Sequence, residues 1–137
     1  WGVGAASAAE IDELGIAAAS FLAMRRALAR LAGGPPDLVL VDGFAIPGLG
    51  LPQRAVVKGD ATVACICAAS VLAKTDRDAE LRALDARSPW YGFAAHKGYG
   101  SAAHLEALRR HGPSPDHRLT FAGVLSRARD ASTVAVA

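Results

Sequence analysis

The stretch LVLVDGFAIPGLGLPQRAVVKGD, residues 38–60, decides how the chain folds. Two short apolar runs, each closed by an aspartate beside a glycine, flank a segment rich in Pro and Gly. Leu38–Val41 is apolar without alternation, the pattern of a strand covered on both faces. Asp42-Gly43 ends it. Ala45–Gln53 reads as a loop. Arg54–Val57 reads as a second strand, followed by Lys58-Gly59-Asp60. The strands are expected over about residues 37–44 and 54–58. If they run parallel, Asp42 and Asp60 lie side by side at one edge of the sheet, where open α/β sheets place their ligands. An antiparallel hairpin would put the acids at opposite ends. The connection is short for a parallel crossover. Extended, it still reaches about 30 Å, against roughly 20 Å for a strand of about six residues. The parallel pair is therefore feasible, and the fold class expected is α/β.

Upstream, Ser7-Ala8-Ala9-Glu10 has the form of a capping box. Ile11, Leu14, Ala18, Phe21, Leu28 and Leu31 follow at helical spacing and predict one helix. Gly33-Gly34-Pro35-Pro36 stops it. Arg25, Arg26 and Arg30 suit its negative C-terminal end. Downstream, Asp60 is expected to cap a helix running to about Leu84, which Ser88-Pro89 breaks. Trp90–Gly100 reads as an aromatic, glycine-rich loop. Ser101 caps a helix that stops at Gly112-Pro113. A turn at Ser114-Pro115-Asp116, a last helix near Thr120–Arg129 and a frayed tail from Asp130 complete the chain.

The 137 residues suit one domain with one core. A composition 52% hydrophobic and 20% charged is that of a folding chain. No apolar run reaches the roughly 20 residues of a membrane span, and no signal peptide is visible. The net charge of +2 neither demands nor excludes nucleic acid. Cys65 and Cys67 do not face each other on a helix. They are expected to be inert, buried thiols in a reducing, cytoplasmic compartment. The first residue is Trp1 rather than Met, so the chain is expected to begin inside a longer protein.

Singly, Asp42 is a turn residue and Asp60 a helix cap. As a pair they repel, and they stay charged together when a cation sits between them. Hard oxygen ligands suit Mg²⁺ or Mn²⁺, and the matching chemistry is metal-assisted phosphoryl transfer. A second cluster is Ala95-His96-Lys97-Gly98-Tyr99-Gly100-Ser101. Gly98 and Gly100 admit a ligand close to the backbone. His96 and Lys97 can meet phosphates, and Tyr99 offers a ring to a sugar or base. Arg54, Lys58, Arg109, Arg110, His117 and Arg118 can extend a basic surface. Each reads equally well as an ordinary solvated charge.

In order along the chain, LVLVDG, AVVKGD, AAASVLAKTDRD and YGFAAHKGYGSAAHLEALRRHGPSPDHR, followed by TF, resemble bacterial ribonuclease HII. GVGAASAAEIDELGIAAASFLAMRRAL fits the helix that precedes them in that family. The resemblance implies an RNase H-like fold, incomplete here, in a single domain over residues 1–137 with a helical substrate-binding region at about 88–128. It implies an endonuclease that cuts RNA in RNA–DNA hybrids and on the 5′ side of single ribonucleotides in duplex DNA. The products would be a 3′-hydroxyl and a 5′-phosphate. In the family, four acids hold two metals, Mn²⁺ or Mg²⁺, and two of the four match Asp42 and Asp60. The junction-sensing tyrosine matches Tyr99, whose ring would pack on the deoxyribose after the ribonucleotide. Lys58 and the loop around Gly98 and Gly100 would lie near phosphate. The full-length protein would be a monomer without a membrane partner.

Two departures stand out. The family opens with a strand carrying Asp-Glu and then a Gly-Arg-Gly turn, and neither occurs here. Asp12-Glu13 lies inside the first helix and is no substitute. Thr62-Val63-Ala64-Cys65 also stands where the family usually carries polar residues. Without the opening strands, the Leu38–Val41 strand is expected to be an exposed edge. The chain alone is then marginally stable and inactive. A non-catalytic hybrid-binding module is the alternative. A flavodoxin-like domain would need an early glycine-rich phosphate loop, which is absent.

Overall fold

Ser7 opens the first helix as its capping box predicts. In a computed structural model describing residues 1–121 and Val124, the Ser7 hydroxyl accepts from the Glu10 N–H at 3.2 Å. The Glu10 carboxylate accepts from the Ser7 N–H at 2.9 Å. This helix, α1, is Ala8–Leu14 and ends at Gly15, φ 79° and ψ 158°. The continuous helix expected through Leu31 is thereby corrected. Gly15 takes a conformation that other residues avoid, and a separate helix α2 begins there, Ile16–Ala29. The described residues form two compact units. One comprises Trp1–Ala6 and Ile16–Asp76, and the other Ser7–Gly15 with the chain from Arg77 onward.

In the first unit, Phe21, Met24 and Leu28 of α2 pack on a buried cluster of Val39, Val41 and Ile46. The strands are β1, Val39–Asp42, and β2, Gln53–Val56, and they pair in parallel. Asp42 stands opposite Val56 in the register. Leu40 is only partly buried, so β1 is covered mainly on the face of Val39 and Val41 and not on both. The tight return is held by Gln53. Its side-chain amide accepts from Ile46 N–H at 2.7 Å and donates to Ile46 C=O at 2.8 Å. That buckle buries Ile46 while the Pro-Gly loop around it stays outside.

Arg25 and Arg26 of α2, and Arg30 just past its end, do more than face a helix terminus. Arg25 donates to the carbonyls of Pro47 and Gly48, Arg26 to Ala5 at 2.8 Å, and Arg30 to Val3 at 2.7 Å. They tie the loop and the first residues to the helix. Gly4 makes that approach possible, since a methyl group there would overlap the Ala23 carbonyl and the Ala27 nitrogen. After β2 come a one-turn helix α3, Gly59–Thr62, and a long helix α4, Ala64–Arg87.

The apolar start of α4 is exposed apart from Ile66, with Val71 at 59%. The expectation of buried cysteines is therefore corrected: Cys65 and Cys67 are exposed. A sheet of two strands is too narrow to cover more of the helix, and both strands are edges among the described residues.

The second unit has its core in Leu81, Tyr91, Phe93, Ala107, Leu108 and Val124. Trp90–Gly100 is more ordered than the expected loop. A 3-10 turn, Pro89–Tyr91, and a short helix α5, Phe93–His96, turn Tyr91 and Phe93 inward. The Tyr91 hydroxyl donates to the Gly112 carbonyl at 2.7 Å. Helix α6, Ala102–His111, carries the expected Ser101 cap and ends at Gly112, φ 71°. Most of the last helix expected at 120–129, and the whole tail from Asp130, lie outside the described residues.

Asp12 has a structural role in this unit. Its carboxylate accepts from the N–H groups of Leu119, at 2.7 Å, and Thr120, at 3.0 Å, and from the Thr120 hydroxyl. The Thr120 hydroxyl chiefly, then the Thr120 N–H, hold its pKa below the ordinary carboxylate value. A carboxyl depressed in the folded state stabilises the fold above its unfolded pKa, about 4, and loses that contribution as pH falls through the lower folded value. The melting temperature is expected to drop below about pH 4, and to drop less in Asp12→Asn. Glu106, lowered by Arg110 and Arg109, titrates in the same sense, so the difference between wild type and variant isolates Asp12. Circular-dichroism melts across this range that superimpose for the two proteins would refute the assignment.

Candidate functional site

Lys58-Gly59-Asp60 is shaped residue by residue. Lys58 has φ 55° and ψ 40°, the left-handed region that costs a residue with a side chain about 1 kcal/mol or more. Gly59 is buried between β2 and α4. A methyl group on it would come within 2.6 Å of Ile66 Cδ1 and 3.3 Å of Val56 Cβ. Without one, its N–H reaches the Asp42 carboxylate, and Oδ1 accepts at 2.8 Å. Asp60 is the next residue. The acid at the end of β1 is thus fastened to the peptide that precedes the acid after β2, and both carboxylates are exposed.

Asp60 differs from its expected role as a cap. The N-cap position belongs to Lys58, which makes no side-chain cap bond. Asp60 sits in the first turn of α3, and extended Val63, φ −124°, separates that turn from α4. The left-handed Lys58 starts the helix early, which places the acid inside it.

The donor set suits a hard divalent cation in kind but is incomplete in number. Two carboxylates offer oxygen, against about six ligands for Mg²⁺. Among the described residues, no three His, Cys, Asp or Glu side chains converge to hold a metal. The other ligands would have to be waters, a substrate phosphate or further acids.

The 96–101 segment of the second unit is folded around its own backbone. His96 Nε2 meets the Tyr91 carbonyl at 2.7 Å, and Nδ1 accepts from the Gly98 N–H at 3.1 Å. Both ring nitrogens are engaged inside the loop. Lys97 closes α5 in a left-handed conformation, φ 53°, and Gly98 follows at φ 79°. Nothing lies within 4 Å of a methyl group built on Gly100. Tyr99 is 77% exposed. Beside this turn is an open groove of about 500 Å³, lined by Trp90, Gly92, Ala95, His96 and Ser101 among others.

The wider basic surface shrinks. Arg109 and Arg110 both pair with Glu106 on α6, Arg110 at 2.7 Å. The Arg118 guanidinium lies over the Phe121 ring at 4.7 Å from its centre. His117 is buried at 6% exposure, not a surface cation. It bonds His104, whose importance the sequence reading missed. The available signal was spacing, because His104, Ala107 and Leu108 share the buried face of α6.

The sequence model for the family Ribonuclease HII matches residues 3–124. The chain is similar to the ribonuclease HII of Syntrophotalea carbinolica, 56% identical over 90% of this chain and 59% of that protein. It is similarly related to those of Laribacter hongkongensis, 57% identical over 90% and 63%, and Mycobacteroides abscessus, 51% identical over 90% and 52%. The chain therefore spans between about half and two thirds of the length of these relatives.

Proposed function

The chain belongs to the ribonuclease HII family of metal-dependent nucleases, and from that premise we propose that it carries the metal-holding strand ends and a substrate-facing loop of an endoribonuclease. The substrate is an RNA–DNA hybrid, or duplex DNA with an embedded ribonucleotide. The cut falls 5′ of the ribonucleotide and leaves a 3′-hydroxyl and a 5′-phosphate. The supporting observation is the 2.8 Å bond from the Gly59 N–H to Asp42, with Asp60 next in the chain.

Asp42 and Asp60 would hold Mg²⁺ or Mn²⁺. A cation there supplies charge neutralisation at the phosphate and makes water easier to deprotonate. The protein's own part is positional. The bond from Gly59 fixes one oxygen of Asp42 and leaves its second oxygen free of that bond. Lys58 and Lys97 offer ammonium groups to the strand backbone. Gly98 and Gly100 let that backbone come near. Tyr99 packs its ring on the sugar after the ribonucleotide, and a 2′-hydroxyl on that sugar obstructs the contact. His96 shapes the loop.

No helix among the described residues is long and apolar enough to cross a membrane. We place the full-length protein as a monomer in the cytoplasm, where the exposed Cys65 and Cys67 would stay reduced. The chain has no Asp-Glu pair followed by Gly-Arg-Gly, and it offers two metal-holding carboxylates. The 137 residues alone are expected to bind a hybrid and cut it poorly, so binding without cleavage is the second reading. Incubation of the full-length protein with end-labelled duplex DNA carrying one ribonucleotide, with Mg²⁺ or Mn²⁺, decides the matter. A single 5′ incision with the stated ends is expected. Binding without incision would favour the second reading, and equal cutting of all-DNA duplex would contradict both.

A further inference from the structure

Tyr99 is exposed, yet its main chain is gripped from both sides. Its N–H donates to the His96 carbonyl at 2.9 Å. Its carbonyl accepts from the Ser101 N–H at 2.8 Å and meets His104 Nδ1 at 3.0 Å. A carbonyl can only accept, so His104 carries its proton on Nδ1. His104 Nε2 then offers a lone pair, and His117 Nε2, 3.0 Å away, must donate to it. That leaves His117 Nδ1 as the acceptor facing the Ser114 N–H, also at 3.0 Å. Every bond in the series has one allowed direction. It runs from Ser114 through His117 and His104 to the Tyr99 carbonyl.

Burial supports this arrangement. His104 and His117 are each 6% exposed. His96 stacks flat on His104, ring centres 4.1 Å apart, and the Phe93 ring meets that of His104 in a T-shaped contact and lies tilted against that of His117. An added proton on either ring would set two donors against each other, on Nε2 of His104 or on Nδ1 of His117. Burial lowers the pKa of His104, and burial with the neighbouring His104 lowers that of His117 to about 4.

We infer that His104 and His117 are positioning residues for Tyr99, holding the main chain beneath its ring so that the ring can discriminate the sugar after the ribonucleotide. The inference rests on the role proposed above for Tyr99. A ring carried on an unanchored turn would sample several positions and tolerate either sugar. Pinning the carbonyl restricts where the ring can stand.

The test compares two substitutions at His104 in the full-length protein. Asparagine places its amide N–H near the position of Nδ1 and can still reach the Tyr99 carbonyl. Glutamine places its amide near Nε2 and reaches toward His117 instead. The readout is the ratio of kcat/KM on a ribonucleotide followed by deoxyribose to kcat/KM on one followed by ribose. His104→Asn is expected to retain the preference, and His104→Gln to lower the ratio about fivefold or more, in keeping with loss of one hydrogen bond of about 1 kcal/mol. Equal ratios for wild type and His104→Gln, with Tyr99→Ala collapsing the ratio, would overturn the positioning role alone. An unchanged ratio in Tyr99→Ala would overturn the reading of Tyr99 and this inference with it. Long-range ¹H–¹⁵N spectra of the unsubstituted protein read the tautomers whether or not a variant folds. Nδ1–H on His104 with Nε2–H on His117 is expected, and the opposite tautomer on either ring would overturn the inference.

Discussion

Asp42→Asn and Asp60→Asn are each expected to lower incision of ribonucleotide-containing duplex by roughly 1,000-fold, the cost of losing about 4 kcal/mol of stabilisation from the cation they are proposed to hold. The substitution at Asp42 is informative because it spares the fold. Asparagine keeps the volume of aspartate and an oxygen that can still accept from the Gly59 N–H, the 2.8 Å bond that joins β1 to the turn after β2. The charge is what disappears. Melting temperature should therefore change little while incision collapses. Asp60 is exposed, so the same separation of stability from activity applies there. Asp76→Asn, on α4, serves as the control and should retain incision within about twofold, as surface substitutions usually do. Full activity in either Asp42→Asn or Asp60→Asn would remove that residue from the metal site.

Tyr99→Ala is expected to lose the preference for an RNA–DNA junction by about 10- to 100-fold, the range expected for an aromatic ring lost from a stacked nucleic-acid contact. Tyr99 is 77% exposed and contributes to no buried cluster among the described residues, whereas Tyr91 and Phe93 fill the core of the same unit. Its removal should leave the melting temperature nearly unchanged. Tyr99→Phe should keep the preference, because the proposed contact uses the ring face and not the hydroxyl. A large stability loss in Tyr99→Ala would mean that the residue supports the fold instead. An unchanged preference would mean that the junction is sensed elsewhere.

Much of this arrangement could be read from the residues in order. The apolar run before Asp42, the Pro-Gly connection and the Lys58-Gly59-Asp60 turn were enough to propose a parallel pair with two acids at one end. The parallel pairing is what β1 and β2 form. The capping box at Ser7 and the Ser101 cap were legible because each depends on residues a few positions apart. Contacts between distant residues were not. Gln53 buckles to Ile46, Asp12 grips the turn at Leu119-Thr120, and His104 meets His117. Local patterning carries no trace of these partners. The break at Gly15 was missed because glycine inside an amphipathic run reads as tolerated until its φ is known. The cysteines were misplaced because an apolar helix implies cover, and two strands supply little of it. At the candidate site, the left-handed turn at Lys58, which puts Asp60 inside α3 instead of at its cap, was not legible.

The central claim is that Asp42 and Asp60 act as one cation site, and paramagnetic broadening tests it most directly. Substoichiometric Mn²⁺ is added to the ¹⁵N-labelled full-length protein, and the loss of amide signals is mapped along the chain. The amides of Gly43, Gly59 and Asp60 should fade first, and Asp42→Asn should abolish that effect. Broadening that instead centres on the acids of α4, Asp76 to Glu80, and survives in Asp42→Asn would contradict the account.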